Sequence, residues 1–301
     1  MLKIRLRYFE GVVREGSVRK AAERLHVAAS AVNRQILQLE EELGVPLFER
    51  LPRGMRPSAA GEILLSYVRR WHNEEGKLLH QLHSLAGGVR GTVRIAAPEA
   101  MADVLLPVAL KNLRARFPHV DFAIVTGDSF HILRELLWHE ADFGLAFNIG
   151  QTKGVRAIAS YACPWGVLMV PGHPLAKRQR LTLSECTGHP LILPSGDWFE
   201  QSAIKRLIRD TEVPLDVAGR AERPSVVKSL TRAGVGMAFM TRLEAAYEIE
   251  HGELVYVPLV DRGMAPSRLF LLTPNRNVPV FAAPVIEEVK LALACLKESE
   301  A

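Results

Sequence analysis

A chain of 301 residues with 48% hydrophobic and 24% charged side chains has the composition of a folded protein of two or three domains, which excludes wholesale disorder. The formal net charge of +5 is confined to residues 1–90, with 15 Lys/Arg against 10 Asp/Glu, whereas residues 91–301 hold 23 of each. Three widely spaced cysteines, Cys163, Cys186 and Cys295, exclude a disulfide framework and a cysteine-based zinc motif.

The basic segment on a neutral body predicts a polyanion-binding module attached to something else. Charge alternates with apolar residues from Met1 to Arg7, and no apolar run approaches about 18 residues, so neither a signal-peptide core nor a membrane span is expected. A cytoplasmic protein without cofactor or metal is the expectation.

Leu6, Phe9, Val12 and Val13 recur at helical spacing up to Gly16. Ser17 is placed to cap a short helix, Val18 to Leu25, with the small pair Ala21-Ala22 on its inner side. After a break at His26-Val27, a second helix runs from about Ala28 to Leu43, with Val32, Ile36, Leu39 and Leu43 on one apolar face and Ser30, Asn33, Arg34 and Gln38 on the other. Two short helices joined by a tight turn, the second with a polar and basic outer face, form the helix-turn-helix plan. Arg34 suits guanine acceptors or a phosphate, Asn33 an adenine edge, and Ser30 either phosphate or base. Arg50, Arg53 and Arg56, punctuated by Pro52, Gly54 and Pro57, predict a basic hairpin wing along a phosphate backbone.

The spacing Gly16-Ser17-x-x-x-Ala21-Ala22-x-x-Leu25, then Val32-x-x-Gln35-Ile36-x-x-Leu39-Glu40-x-x-Leu43-Gly44-x-x-Leu47-Phe48-x-Arg50, closed by Ala60-Gly61, resembles the DNA-binding domain of LysR-type transcriptional regulators. The resemblance covers nearly all of residues 1–65. It departs at Ala29-Ser30-Ala31, Asn33 and Arg56-Pro57-Ser58. Candidate DNA contacts are therefore Ser17, Ser30, Asn33, Arg34, Gln38, Arg50, Arg53 and Arg56.

From Ala59 to about Ala86 no proline interrupts, and Leu64, Val68, Trp71, Leu78, Leu82 and Leu85 follow a heptad rhythm with Glu75 as its one polar break. The pattern alone fits equally a helix pairing with another helix and one packing on its own domain; the resemblance implies a dimerisation arm. Gly87-Gly88 and Gly91 predict a hinge. Beyond it, strand and helix patterns alternate, which predicts an α/β body with largely parallel sheets. Strands are expected near 93–96, 120–125, 143–147, 165–170, 190–193, 235–240, 254–257 and 269–272. Helices are expected near 105–117, 130–138, 200–209, 225–232 and 280–296.

Ala141-Asp142-Phe143-Gly144-Leu145-Ala146, Val170-Pro171-Gly172-His173-Pro174-Leu175-Ala176 and Ala233-Gly234-Val235-Gly236-Met237-Ala238 are similar to segments of the LysR-type effector domain, which has the two-lobed plan of periplasmic binding proteins. The domains implied are a winged helix-turn-helix at 1–58, a linker helix at 59–88 and an effector domain at 92–301. Its lobes would be 92–162 with 268–301, and 163–267. By that analogy the cleft is lined by Pro98, Glu99 and Ala100, by Thr126 and Asp128, and by Phe147 and Asn148 from the first lobe. The second lobe adds Ser195, Trp198, Arg223 and Ser225. Ser129 and Ser225 equally suit helix caps. Glu99 either caps its helix or faces the cleft, and in the second case it disfavours a carboxylate ligand there. The expected effector is polar and neutral, or has its anionic end elsewhere, for instance at Arg223.

No nucleophile motif, metal-protease motif or P-loop is present, and Gly234-Val235-Gly236 fails as a dinucleotide fingerprint because Phe239 stands sixth. The expectation is a ligand-responsive, sequence-specific DNA-binding regulator, not an enzyme. Its implied partners are double-stranded DNA, a small-molecule effector, a homodimer or homotetramer and, when activating, RNA polymerase. The alternatives are a constitutive DNA-binding protein whose body only oligomerises, and an enzyme on a DNA-binding tether.

Overall fold

The computed structural model describes residues 2–51, 54–68, 71, 75, 78, 91–195, 199, 202–275, 278–279 and 281–298. The chain divides into two compact units, residues 1–79 and 80–301.

The first unit packs α1 (Leu2–Glu15), α2 (Val18–Leu25) and α3 (Ala29–Leu43) against a hairpin of β1 (Phe48–Leu51) and β2 (Gly54–Pro57). Phe9, Val12, Ala21, Val32, Ile36 and Leu39 form its buried centre, so the helical spacing of those residues sets the packing. Leu43, expected on the same face, is exposed, because α3 ends there on Gly44 in the left-handed region. Ser17 does occupy the N-cap of α2 with extended backbone, but its hydroxyl accepts no helix N–H. The turn after α2 is made by His26 at φ 55°.

Glu40 fixes the path into the wing by accepting the N–H groups of Leu47 at 2.7 Å and Phe48 at 3.3 Å. Met55 N–H donates to Gly16 O at 2.8 Å, which staples the hairpin to the turn between α1 and α2. A fourth helix, α4, covers residues 59–68, with helical positions again at Trp71, Glu75 and Leu78. Ser58 caps it by accepting Gly61 N–H at 3.1 Å. Leu65 and Val68 bury themselves in the first unit, while Ile63, Tyr67, Trp71 and Leu78 are exposed. Of the expected seam, Val68 packs in the first unit, while Trp71, with Lys3 Nζ 5.6 Å from its ring centre, and Leu78 are exposed, and Leu82 and Leu85 lie outside the described residues.

The second unit contains two five-stranded mixed sheets. The first has the order β4 (Val120–Thr126), β3 (Gly91–Ala97), β5 (Phe143–Phe147), β12 (Ser267–Pro274), β6 (Val155–Cys163). The second has the order β11 (Val255–Pro258), β7 (Trp165–Met169), β10 (Met237–Thr241), β8 (Leu191–Pro194), β9 (Val217–Ala221). The expectation of largely parallel sheets is corrected: β4-β3-β5 and β9-β8-β10 are parallel, but β12, β6, β7 and β11 join antiparallel. Strands β6 and β9 were absent from the sequence expectation.

Period-two alternation places each sheet between two cores. Val93, Ile95 and Ala97 of β3 face α5 (Glu99–Arg116) and α10 (Ala282–Glu298), whereas Ala96 faces α6 (Ser129–Leu137). In the second sheet Leu191 and Leu193 lie on the side of α7 (Ala203–Thr211), and Ile192 on that of α8 (Pro224–Arg232). A short α9 (Ala246–Glu250) follows β10. The chain passes between the sheets twice, at Cys163-Pro164-Trp165 and between β11 and β12.

Gly61 is a checkable packing constraint. A Cβ there would sit 2.2 Å from Leu47 O and 3.1 Å from Pro57 Cβ. Gly61→Ala should therefore destabilise the N-terminal unit by about 1–3 kcal/mol, read as a lower urea midpoint for loss of DNA binding by the full chain.

Candidate functional site

Exposed polar side chains of the first unit lie on every helix, among them Arg7 of α1 and Lys20 of α2, and the candidate DNA contacts among them lie on α3 and the hairpin. Ser30 and Arg34 are exposed one helical turn apart, and Asn33 is half-buried beside them. Gln38 is less available, since its Oε1 accepts Gln35 Nε2 at 2.9 Å while Gln35 in turn accepts Arg5 Nε at 3.2 Å. Arg5 also pairs with Glu42. In the wing, Arg50 is exposed without an ion pair among the described residues, whereas Arg56 faces Glu49 across the hairpin at 2.6 Å. Arg53 lies outside the described residues.

The second unit holds a cleft of about 430 Å³ at the carboxyl ends of the parallel strands of both sheets. A volume of this size takes a small metabolite. Pro98, Glu99 and Ala100 line it beyond β3, Thr126 and Asp128 beyond β4, and Phe147 and Asn148 at the end of β5. Ser195 and Arg223 line it from the second sheet, as expected, and Trp198 lies outside the described residues.

Several roles differ from the expectation. Ser225 is not a lining residue and caps nothing: its Oγ donates to Glu99 Oε1 at 2.8 Å, linking α8 to α5. Ser129 also caps nothing, its Oγ bonding both the N–H and the C=O of Phe147. Asp128 is the cap of α6, accepting His131 N–H at 2.6 Å. Asn148, at φ 52°, spends its amide on structure, accepting Arg268 N–H at 2.8 Å and donating to Ser267 Oγ at 2.9 Å.

Sequence reasoning missed Trp165, Glu222, Glu244 and Ser267, which also line the cleft. Trp165 is 3% exposed, and its indole N–H has no acceptor among the described residues. Glu244 is buried, with Oε2 accepting Thr241 N–H at 3.0 Å and Thr241 Oγ1 at 2.7 Å. Burial nevertheless pushes its pKa up, against the lowering effect of those bonds and of Lys228. Lys228 itself is buried in an ion pair of 2.8 Å with Glu248. A lone acid in the small and apolar run after β10, Leu243-Glu244-Ala245-Ala246, was the signal available for Glu244.

Comparison with known proteins gives two matches in chain order. The bacterial regulatory helix-turn-helix protein model of the lysR family matches residues 4–62, and the LysR substrate binding domain model matches residues 86–290. The chain belongs to the LysR family of transcriptional regulators. It is thus a DNA-binding regulator with an effector-binding body, and its relatives are regulators rather than enzymes. Among LysR-family relatives it is similar to the RuBisCO operon transcriptional regulator of Allochromatium vinosum, 26% identical over 90% of this chain and 89% of that one. It is also similar to the transcriptional activator protein LysR of Escherichia coli K12, 26% identical over 81% and 80%. Among solved structures, full-length CbnR bound to its target DNA has the same fold, with a TM-score of 0.56 at 20% identity over 96% of this chain and 98% of that one.

The raised pKa of Glu244 has a sign that can be tested. The folded state holds this proton more tightly than the unfolded chain, so stability is lost as pH climbs from the ordinary value of 4.5 through the raised one. Glu244→Gln keeps an acceptor for Thr241 without the buried charge. Its melting temperature should fall less than that of the parent between about pH 5 and pH 7.

Proposed function

We propose that the chain is a cytoplasmic regulator that binds operator DNA as a homodimer or homotetramer and changes its grip when a small molecule enters the cleft, engaging RNA polymerase when it activates. Ser30, Asn33 and Arg34 read bases, with Ser17 and Gln38 at the margin, and Arg50, Arg53 and Arg56 hold phosphates. The working domains are 1–58, 59–88 and 92–301, the last divided into lobes 92–162 with 268–301, and 163–267. Two paired heads set half-sites about 10–10.5 bp apart, or a multiple of that. Support for self-association comes from the open face of α4 and from β4, a sheet edge whose Phe122, Ile124 and Val125 are exposed.

The observation that carries the effector reading is the Ser225–Glu99 hydrogen bond beside a cleft lined from both sheets. A hydrogen bond to a carboxylate contributes on the order of 1.5–3 kcal/mol. That matches the coupling of about 1–3 kcal/mol typical between a ligand and a second site. A ligand that competes for Glu99 therefore has enough leverage to shift the two lobes.

A peroxide-responsive reading is suggested by the fold neighbour OxyR of Corynebacterium glutamicum, solved with H2O2 bound, TM-score 0.57 at 22% identity over 99% of this chain and 95% of that one. The cysteine chemistry speaks against it. Burial, with Asp261 and Glu185 adding to it, pushes the Cys186 thiol up to about 12, and Cys163 is also buried. A thiol held protonated is a poor peroxide target.

Two substitutions test the DNA contacts on the DNA segment beside the protein's own gene. Arg34→Ala should weaken specific binding by about 1–3 kcal/mol while leaving binding to random DNA nearly unchanged. An unaltered footprint and affinity would refute base reading by Arg34. Arg50→Ala should weaken binding to every sequence and lower the salt slope by about one unit, and an unchanged slope argues against a phosphate contact.

A further inference from the structure

Among the described residues, the carboxylates of Glu99, Asp128, Glu244 and Glu222, the last engaged in an interaction of its own, line the cleft with one guanidinium, Arg223. Three helices begin there, α5, α6 and α8, and helix N-termini ordinarily attract anions. In this chain two of those positions are already answered. Glu99 stands in the first turn of α5, and Asp128 accepts an N–H of the first turn of α6. At α8 the first residue is Pro224, which has no N–H, and Arg223 before it is exposed. At two of the three helix starts, those of α5 and α6, an anionic ligand would meet the protein's own carboxylate, which leaves Arg223 at α8 as the position that favours an anion.

A second observation, independent of charge, points to a ligand. Trp165 is buried at the cleft, and its indole N–H has no acceptor among the described residues. Buried donors in folded proteins are nearly always paired, so an unused donor on a residue of the cleft wall is a group that an incoming oxygen could satisfy. Near it in the cleft wall, Glu244 Oε2 is taken by Thr241, while Oε1 has no bond among the described residues.

We propose that the effector is a small cation, an amine that also carries an oxygen acceptor. Glu99 and Glu244 hold the positive nitrogen, Trp165 Nε1–H donates to the oxygen, and Phe147 supplies apolar contact. The nitrogen competes with Ser225 for Glu99, so the ligand acts on the bond that ties α5 to α8. This inference rests on the reading of the cleft as the effector site.

The test uses the full chain and two sets of probes that share a skeleton and differ in charge. One set is 2-phenoxyethylamine, 2-phenoxyethanol and phenoxyacetate; the other is ethanolamine, ethylene glycol and glycolate. Thermal shift and calorimetry at millimolar concentrations should show an amine binding about tenfold or more tightly than its anionic counterpart. Glu244→Gln should weaken the amine about tenfold and leave the neutral alcohol nearly unchanged. Trp165→Phe should weaken amine and alcohol alike.

Preference for an anion or an alcohol, or no response to either amine, overturns the cationic class. If such a preferred anion or alcohol is lost in Trp165→Phe and alters the DNA footprint, the effector reading survives without that class. Amine binding insensitive to both substitutions overturns the cleft assignment. An amine bound in the cleft that leaves the DNA footprint unchanged keeps the class and overturns the effector reading.

Discussion

One hydrogen bond, from Ser225 at the start of α8 to Glu99 at the start of α5, joins two helices that rest on different sheets. Each helix is packed onto its own sheet by a buried face: Ala100, Met101, Leu105 and Leu106 for α5, and Val227 for α8. Packed interiors transmit displacement instead of absorbing it. A change at Glu99 is therefore felt by α5 as a body. The two chain crossings keep the sheets connected while the bond is exchanged. A response of this kind needs only a contact worth a few kcal/mol placed where the ligand can compete with it.

Much of this fold is legible in the sequence because strands covered on both faces read as short apolar runs bounded by turn residues. Met237 and Phe239 serve one core of the second sheet and Ala238 and Met240 the other, so β10 reads as an unbroken apolar run. Strand β6 does not read this way. At the edge of its sheet it is only partly covered, and Arg156, Ala157, Ala159 and Ser160 dilute the pattern. Strand β9, another edge, carries Gly219 and Arg220 and few large apolar residues. Helix α5 begins six residues before the expected start, and Pro107 falls in its interior, where proline is disfavoured. Strand direction was the least legible property, because alternation is the same whichever way a strand runs.

The same limit explains the cleft. The rule that ligands gather beyond the carboxyl ends of parallel strands finds Glu99, Thr126, Phe147, Ser195 and Arg223. It cannot find Trp165 or Ser267, which begin strands. These two strands run antiparallel to their neighbours, so their first residues lie beside the last residues of the parallel ones. Trp165 pairs with Thr241 at the end of β10, and Leu269 of β12 pairs with Phe147 at the end of β5. Once the crossings are known to be antiparallel, both residues become predictable from topology. Glu244 follows from the same geometry, three residues beyond the end of β10.

The charge of the N-terminal unit also needs its pairings before it can be read. Arg5, Arg19, Arg24 and Arg56 are each tied to a nearby glutamate, whereas Arg7, Lys20, Arg34 and Arg50 are exposed without an ion pair among the described residues. An exposed pair is worth about 0–1 kcal/mol, so a phosphate can take Arg56 from Glu49 at little cost. The glutamate left behind would still repel the same phosphate, so Arg56 would gain less from such a contact than Arg50 would. Along α3 the distinction is sharper. Gln38 is held in a chain through Gln35 to Arg5, whereas Ser30 and Arg34 of the first turns are exposed, with Asn33 partly covered beside them and the acidic Glu41 and Glu42 exposed near the other end. In a helix that reads bases from its N-terminal turns, a Gln38 held in this way would add little contact of its own.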